Sequence, residues 1–396
     1  MRSRLERSLL VVVLSVGLSA PALAQDSRAG EIAARQAEKS KQLQPNEAGG
    51  AERALDWFEQ HFTDPTTVYL TFGGIYPSAG LAPGIAYRRA MGHARFNIGS
   101  AWSVKNYKLA HTSLRFPELA NNKLELEGHA RWLDATQVPF YGIGADTLRD
   151  DRVNYGLRSS EVGGSLTLKP VRWFRIGAGI DARQIEDQEG VGTTPSIELV
   201  HSDLSAPGLF AKTNYTHVSG NAAIDWRESP GYSRTGGLYA VAWNDFRDGD
   251  DRFSFERTDI DLRQLIPVLK EHWVFAFRAV VQTTQSDAGQ IIPYHLLPSL
   301  GGNHAHRAYS DFRFRDKHMM LLSAEYRWLP SRVLDMALFV DSGKVTALRR
   351  DLDLDGLKTG YGIGFRFHGP TMTPLRVDVA HGDEGFRIHF TGGVAF

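Results

Sequence analysis

The sequence predicts an all-β protein, a transmembrane antiparallel β-barrel of about sixteen strands, and three observations carry that expectation. The chain closes on Phe386-Arg387-Ile388-His389-Phe390-Thr391-Gly392-Gly393-Val394-Ala395-Phe396, with an apolar residue or Gly at every second position. No run of about 18 apolar residues follows Ala24, so no helical span is available and membrane residence must come from strands. The connections between the strand-like segments are short and long by turns, as in single-chain outer-membrane barrels.

At the start of the chain, Met1-Arg2-Ser3-Arg4-Leu5-Glu6-Arg7 is basic, Leu9 to Leu18 is apolar, and Ala22-Leu23-Ala24 is a small-x-small pattern. Together they read as a secretory signal peptide over residues 1–24, cut after Ala24. Its apolar run is too short to span a bilayer core of about 30 Å as a helix.

Residues 25–66 change character. Ala33, Ala34, Ala37 and Leu43 lie among Glu, Lys and Gln, and Ala54, Leu55, Trp57 and Phe58 follow a break at Gly49-Gly50. Two short helices joined by a flexible link are expected. A segment of roughly 40 residues seldom folds alone, so this is an N-terminal helical appendage, either periplasmic or inserted in the barrel mouth.

Strands then follow one another as a single domain over 67–396. They are expected near 67–74, 84–91, 95–104, 106–117, 123–133, 155–168, 171–185 and 208–228 in the first half. The second half holds 237–247, 255–265, 271–285, 318–328, 333–342, 360–367, 374–380 and 386–396. Lys169-Pro170, Leu329-Pro330-Ser331 and the stretch from His368 to Pro374 join even to odd strands and are short. The odd-to-even connections, Leu133 to Asn154, Glu186 to Pro207, Ser286 to Lys317 and Ser342 to Thr359, are long. Both chain ends then lie on the short-turn, periplasmic side.

The terminal strand presents Phe386, Ile388, Phe390, Val394 and Phe396 on one face and Arg387, His389, Thr391 and Ala395 on the other. A fully apolar face at an unprotected edge of a soluble sheet would invite aggregation; in a barrel it faces lipid. Gly73-Gly74, at the end of the first strand, would weaken one side of the seam where first and last strands meet, or simply form a turn.

Composition fits. The chain is 42% hydrophobic and 11% aromatic with 39 Gly, and its mean hydropathy of -0.28 is what a lipid-facing apolar half and a lumen-facing polar half average to. The absence of Cys excludes disulfides, thiolate metal sites and a Cys nucleophile. A formal net charge of +0 gives no argument for a nucleic-acid partner.

The informative constellation precedes and includes the twelfth strand. Gly301-Gly302-Asn303-His304-Ala305-His306-Arg307-Ala308-Tyr309 stands in the long loop, followed by Phe314-Arg315-Asp316. With Leu322, Ala324, Tyr326 and Trp328 toward lipid, Glu325 faces the lumen; with Met336, Leu338 and Val340 toward lipid, so does Asp341. Two carboxylates at similar depth on adjacent strands repel unless a cation sits between them. Arg307 is the candidate, since a guanidinium bridges two carboxylates with several donors in a fixed fork.

These segments, with Ser323-Ala324-Glu325-Tyr326, Phe339-Val340-Asp341-Ser342-Gly343, Gly360-Tyr361-Gly362-Ile363-Gly364-Phe365-Arg366, Pro374-Leu375-Arg376-Val377-Asp378 and the terminal Phe396, resemble the C-terminal barrel of the BamA/TamA superfamily, the bacterial surface-antigen barrels. The likeness is strongest over 300–396, and Phe140-Tyr141-Gly142-Ile143-Gly144-Ala145-Asp146 with Asp151-Arg152 is similar to the upstream part of short members. The resemblance implies a loop folded into the lumen whose Arg contacts wall acids: here Arg307, with Tyr309 as its aromatic and Glu325 and Asp341 as the acids. Where the family prefers an apolar residue and Gly around that Arg, this chain has His306 and Ala308. A position needing φ > 0 would strain Ala308, while the ion cluster would be unaffected. Residues 25–66 are too few for a POTRA domain, so the resemblance is to a short form lacking them.

The resemblance also implies that the last residues, with Phe390, Val394 and Phe396, act as the signal read by the barrel assembly machinery. The expected function is insertion or translocation of protein or lipid at the outer membrane of a Gram-negative bacterium, with outer-membrane lipid and an unidentified protein client as partners. The alternative is a passive pore, or a surface antigen or adhesin-like barrel that moves no client. No Gly-x-Ser-x-Gly, phosphate loop or His-Glu-x-x-His occurs, so no enzyme activity is expected. No cofactor or metal is expected either. Asp351-Leu352-Asp353-Leu354-Asp355-Gly356 starts like a calcium loop but has Gly362 at its twelfth position, and His304 and His306 lack a third ligand nearby.

Overall fold

The computed structural model describes residues 67–268, 272–369 and 372–393. The leader and helical readings at 1–24 and 25–66 and the last three residues of the terminal strand lie outside them.

Sixteen antiparallel strands form one sheet in sequence order. They are β1 (Val68–Gly73), β2 (Ala82–Met91), β3 (Ala94–Trp102), β4 (Lys108–Leu119), β5 (Leu124–Phe140), β6 (Val153–Val171), β7 (Phe174–Glu189) and β8 (Lys212–Asp225). The second half holds β9 (Gly236–Asp248), β10 (Phe255–Val268), β11 (Trp273–Ser286), β12 (His318–Ser331), β13 (Leu334–Thr346), β14 (Lys358–Phe367), β15 (Leu375–Gly382) and β16 (Gly385–Thr391). The meander curls into a nearly closed barrel with β1 and β16 at the two ends of the strand order. No helix among the described residues is long and apolar enough to cross a membrane.

Period-two alternation sets the two faces. On β16, Phe386, Ile388 and Phe390 are 76%, 60% and 72% exposed, the apolar outer face of a barrel strand that lipid covers. On β12, Leu322, Ala324, Tyr326 and Trp328 face outward, and Ser323, Glu325 and Arg327 point inward and are buried. At the short-turn end, Trp273 pairs with Trp328, and exposed Trp173 occupies the two-residue turn Arg172-Trp173. Amphipathic indole rings at one rim suit the level of the lipid headgroups.

Strands β5, β6 and β7 run for 17, 19 and 16 residues, beyond the roughly 9–11 that cross a bilayer. The sequence reading ended two of them early, at 133 and 185. Leu133, Asp134 and Ala135 are all buried; both faces of the sheet are covered there, so the alternation that marks a half-exposed strand disappears. A bulge between Ala135 and Val138 carries the ladder on to Phe140. Around these extensions Tyr107, Phe140, Tyr155, Tyr215, Phe255 and Tyr294 form an aromatic core, with Phe140 and Tyr155 each 5.0 Å edge-on to Tyr294.

Two-residue turns, Arg172-Trp173 and Arg332-Val333, close β6–β7 and β12–β13, while 190–211, 287–317 and 347–357 are long connections on the other side. The β15–β16 connection on that long-loop side is only Asp383-Glu384. The 287–317 segment folds inward. Its Ser299–Leu300 pairs with Phe314–Arg315, and Leu300, Ala308, Tyr309 and Phe314 pack on Leu321 and Phe339 of the wall.

Candidate functional site in the lumen

The inward positions of β12 to β15 carry charge where a packed interior would carry Leu or Val. Glu325 and Arg327 stand on β12, Asp341 on β13, Arg366 on β14, and Arg376 and Asp378 on β15; all are at most 3% exposed. Ser323 pairs with Asp341 and Glu325 with Phe339, so the two acids are diagonal neighbours. A single guanidinium can span that separation.

Arg307 does so. Its Nε and Nη2 donate to Asp341 Oδ2 and Oδ1 at 2.8 and 2.7 Å, a bidentate fork. Its Nη1 donates to Glu325 Oε1 at 2.5 Å and its backbone N–H to Asp341 Oδ2 at 3.1 Å. The guanidinium carbon lies 3.5 Å from the centre of the Phe339 ring, the residue opposite Glu325 in register and two before Asp341. Burial works against the charge on Arg307, but Asp341 and Glu325 outweigh it and raise its proton affinity above the ordinary value.

The two acids are not equivalent. Glu325 also accepts from Arg327 Nε at 2.6 Å and Arg366 Nη2 at 2.8 Å. Among the described residues, the Asp341 carboxylate takes its hydrogen bonds from Arg307 alone. Beyond Arg366, Arg376 and Asp378 form a further ion pair at 2.8 Å, and Arg376 Nη2 donates to Asn303 O of the loop at 2.7 Å.

The rest of the loop is fixed at both flanks of Arg307. His306 Nε2 donates to Lys358 O at 2.8 Å, and burial lowers the proton affinity of that imidazole. His389 Nε2, on the last strand, donates to Arg307 O at 2.7 Å. Tyr309 donates its hydroxyl hydrogen to Asp383 in the β15–β16 turn, and Arg313 Nε donates to Glu384 of the same turn at 2.5 Å. One segment therefore grips the wall at β12–β13 and the final hairpin together.

Ala308 is 1% exposed and is not among the residues with positive φ, whereas Gly301, Gly302 and Phe312 are. The loop takes its left-handed turns elsewhere, so the residue after Arg307 needs no Gly here.

The structure brings Arg307, Glu325 and Asp341 into one cluster and places Tyr309 beside it on Asp383. Phe390 lies on the outer face of β16, and Val394, Phe396, Ala22 and Ala24 lie outside the described residues. The Asp-rich loop binds a lysine: Lys344 Nζ donates to Asp353 Oδ1 at 2.6 Å and to Asp355 O at 2.7 Å. Sequence reasoning did not single out Arg366, Arg376, Asp378, Asp383 or Glu384. For Arg366 the signal was available, since Gly362, Gly364 and Arg366 share an inward parity on β14.

Comparison with solved structures gives barrels of the same kind. BamA from Haemophilus ducreyi lacking POTRA domains 1-3 superposes with a TM-score of 0.62 at 15% identity, over 83% of this chain and 70% of that one. CdiB from Acinetobacter baumannii gives 0.50 at 12% identity, and CdiB from Escherichia coli 0.52 at 13%, each over 83% of this chain. This chain spans only 60% and 63% of those two. No protein-family model and no curated protein sequence matches. At these identities the likeness is one of fold.

Proposed function

We propose that this chain, whose barrel has the fold of the BamA/TamA superfamily, lies in the outer membrane of a Gram-negative bacterium and inserts or translocates protein or lipid there. The observation that supports it best is the double grip of the lumen loop. Arg307 holds the β12–β13 wall while His389, Asp383 and Glu384 tie the same loop to β15–β16. Such a loop couples the state of the lumen to the strand that must part from β1 if the barrel opens sideways. No bond is made or broken in this role, and we propose no enzyme activity.

A passive pore would need an open lumen. Here the loop packs Leu300, Tyr309 and Phe314 against Phe339 and Leu321, so a mostly closed barrel is expected in a planar bilayer. The chain has no Cys, so one cysteine introduced into β1 and one into β16 give a lock that only the seam can form. Oxidation is expected to stop delivery of client to the membrane, and reduction to restore it. Delivery that continues through the oxidised seam would contradict lateral opening, and a large steady current would favour the pore.

A further inference from the structure

Three inward residues on successive strands meet at the opposite wall: His129 on β5, Glu161 on β6 and Asp181 on β7. In register His129 stands opposite Gly163, and Gly163 opposite Asp181. The middle strand thus offers no side chain between imidazole and carboxylate. A Cβ on Gly163 would stand 2.8 Å from the Asp181 Cα and collide with its side chain. Through this gap His129 Nε2 comes within 3.0 Å of Asp181 Oδ1 and 3.1 Å of Glu161 Oε1.

A hydrogen bond accounts for half of this arrangement. In the tautomer protonated at Nε2 the ring donates to Glu161 Oε1, and that single proton cannot serve both acids. Among the described residues, buried Asp181 Oδ1 has no hydrogen-bond partner, on a residue only 7% exposed. Leaving such an oxygen empty is unfavourable. The other carboxylate oxygens are held from behind. Arg183 Nη2 lies 2.9 Å from Glu161 Oε2, and His217 Nδ1 donates to Asp181 Oδ2 at 2.9 Å, with its Nε2 3.1 Å from Asn244 Oδ1. Carboxylates fixed by their far oxygens, with near oxygens converging on an imidazole nitrogen, are oriented as metal ligands are.

We propose that His129 Nε2, Glu161 Oε1 and Asp181 Oδ1 form a lumen-facing site for a divalent cation of the zinc class. The ion replaces the Nε2 proton, which leaves to solvent, and engages the empty oxygen. Donors about 2.0–2.1 Å from a tetrahedral zinc stand about 3.4 Å apart, so the two separations from His129 Nε2 open by a few tenths of an ångström. One nitrogen with two carboxylates favours such an ion over calcium, which takes six to eight oxygens. Three protein ligands leave a fourth position for water from the lumen.

The test is titration of the purified, folded barrel with Zn²⁺ by calorimetry, and with Co²⁺ by visible absorption, after chelator treatment. One saturable site is expected, with a cobalt spectrum of low-coordinate nitrogen and oxygen ligation. His129→Ala and Asp181→Asn should each weaken binding at least tenfold. His304→Ala, which changes a loop histidine elsewhere, should leave it unchanged. Gly163→Ala keeps all three ligands and should weaken binding by closing the gap. A heat-modifiability gel checks that each variant folds, and the cobalt spectrum of the unaltered protein decides if a variant does not. No saturable binding, or full affinity in His129→Ala, would overturn the site.

Discussion

Ala308 and Gly360 share one space: a Cβ built on Gly360 would collide with the methyl of Ala308, and one on Gly382 would stand 2.9 Å from it. The loop residue after Arg307 is thus accommodated by two wall positions without side chains. A lumen insert fits so closely only if loop and wall are matched to each other.

Gly360→Ala should therefore destabilise the barrel by about 1–3 kcal/mol through overpacking. Adding Ala308→Gly should recover part of the loss, since residues in contact couple by about 0.5–3 kcal/mol. Thermal midpoints of the single and double variants in detergent measure the coupling. Additive losses would mean that the two positions do not share space.

Arg307→Ala removes both guanidinium hydrogen bonds to Asp341 and leaves it only the backbone N–H of position 307, while Glu325 keeps Arg327 and Arg366. An uncompensated buried charge costs about 3–5 kcal/mol, so the variant should give less folded barrel or a lower unfolding temperature. Because the orphan is Asp341 specifically, Arg307→Ala with Asp341→Asn should be more stable than Arg307→Ala alone. Adding Glu325→Gln instead should not help. Equal rescue by both changes would contradict this asymmetry.

Much of this site was legible in the chain because lipid on one side enforces period-two alternation; Glu325 and Asp341 could be assigned to the lumen by parity alone. The long extensions of β5–β7 were not, since Leu133, Asp134 and Ala135 are covered on both faces. Nor was the His129, Glu161 and Asp181 triad. Its residues come from three strands, and what joins them is the missing side chain of Gly163, which the pattern shows as only one more glycine. The loop's partners Asp383 and Glu384 were hidden for a similar reason, because a two-residue turn has no periodicity to read.

Acid should weaken the loops at the long-connection end. Burial, with Arg315 nearby, pushes His295 down to about 3, and neither ring nitrogen has a hydrogen-bond partner among the described residues. The unfolded chain takes up a proton near the ordinary value of about 6.5 while the folded state does not, so this contribution is lost as pH falls from about 6.5 toward 3. Burial raises the Asp311 carboxyl and acts in the opposite sense, so the comparison is between variants. Between pH 7.5 and 5, His295→Gln should lose less unfolding temperature than the unaltered protein. An identical loss in both would assign the acid sensitivity elsewhere.

Arg307, through the loop, is expected to steady the final hairpin. Hydrogen exchange of the folded barrel in detergent, read by peptide mass spectrometry in the unaltered protein and in Arg307→Ala, measures this. Loss of the anchor should raise exchange in β16, over Gly385–Thr391, as well as in the 287–317 loop, while β6 and β7 stay protected. Faster exchange confined to the loop, with β16 unchanged, would contradict the coupling.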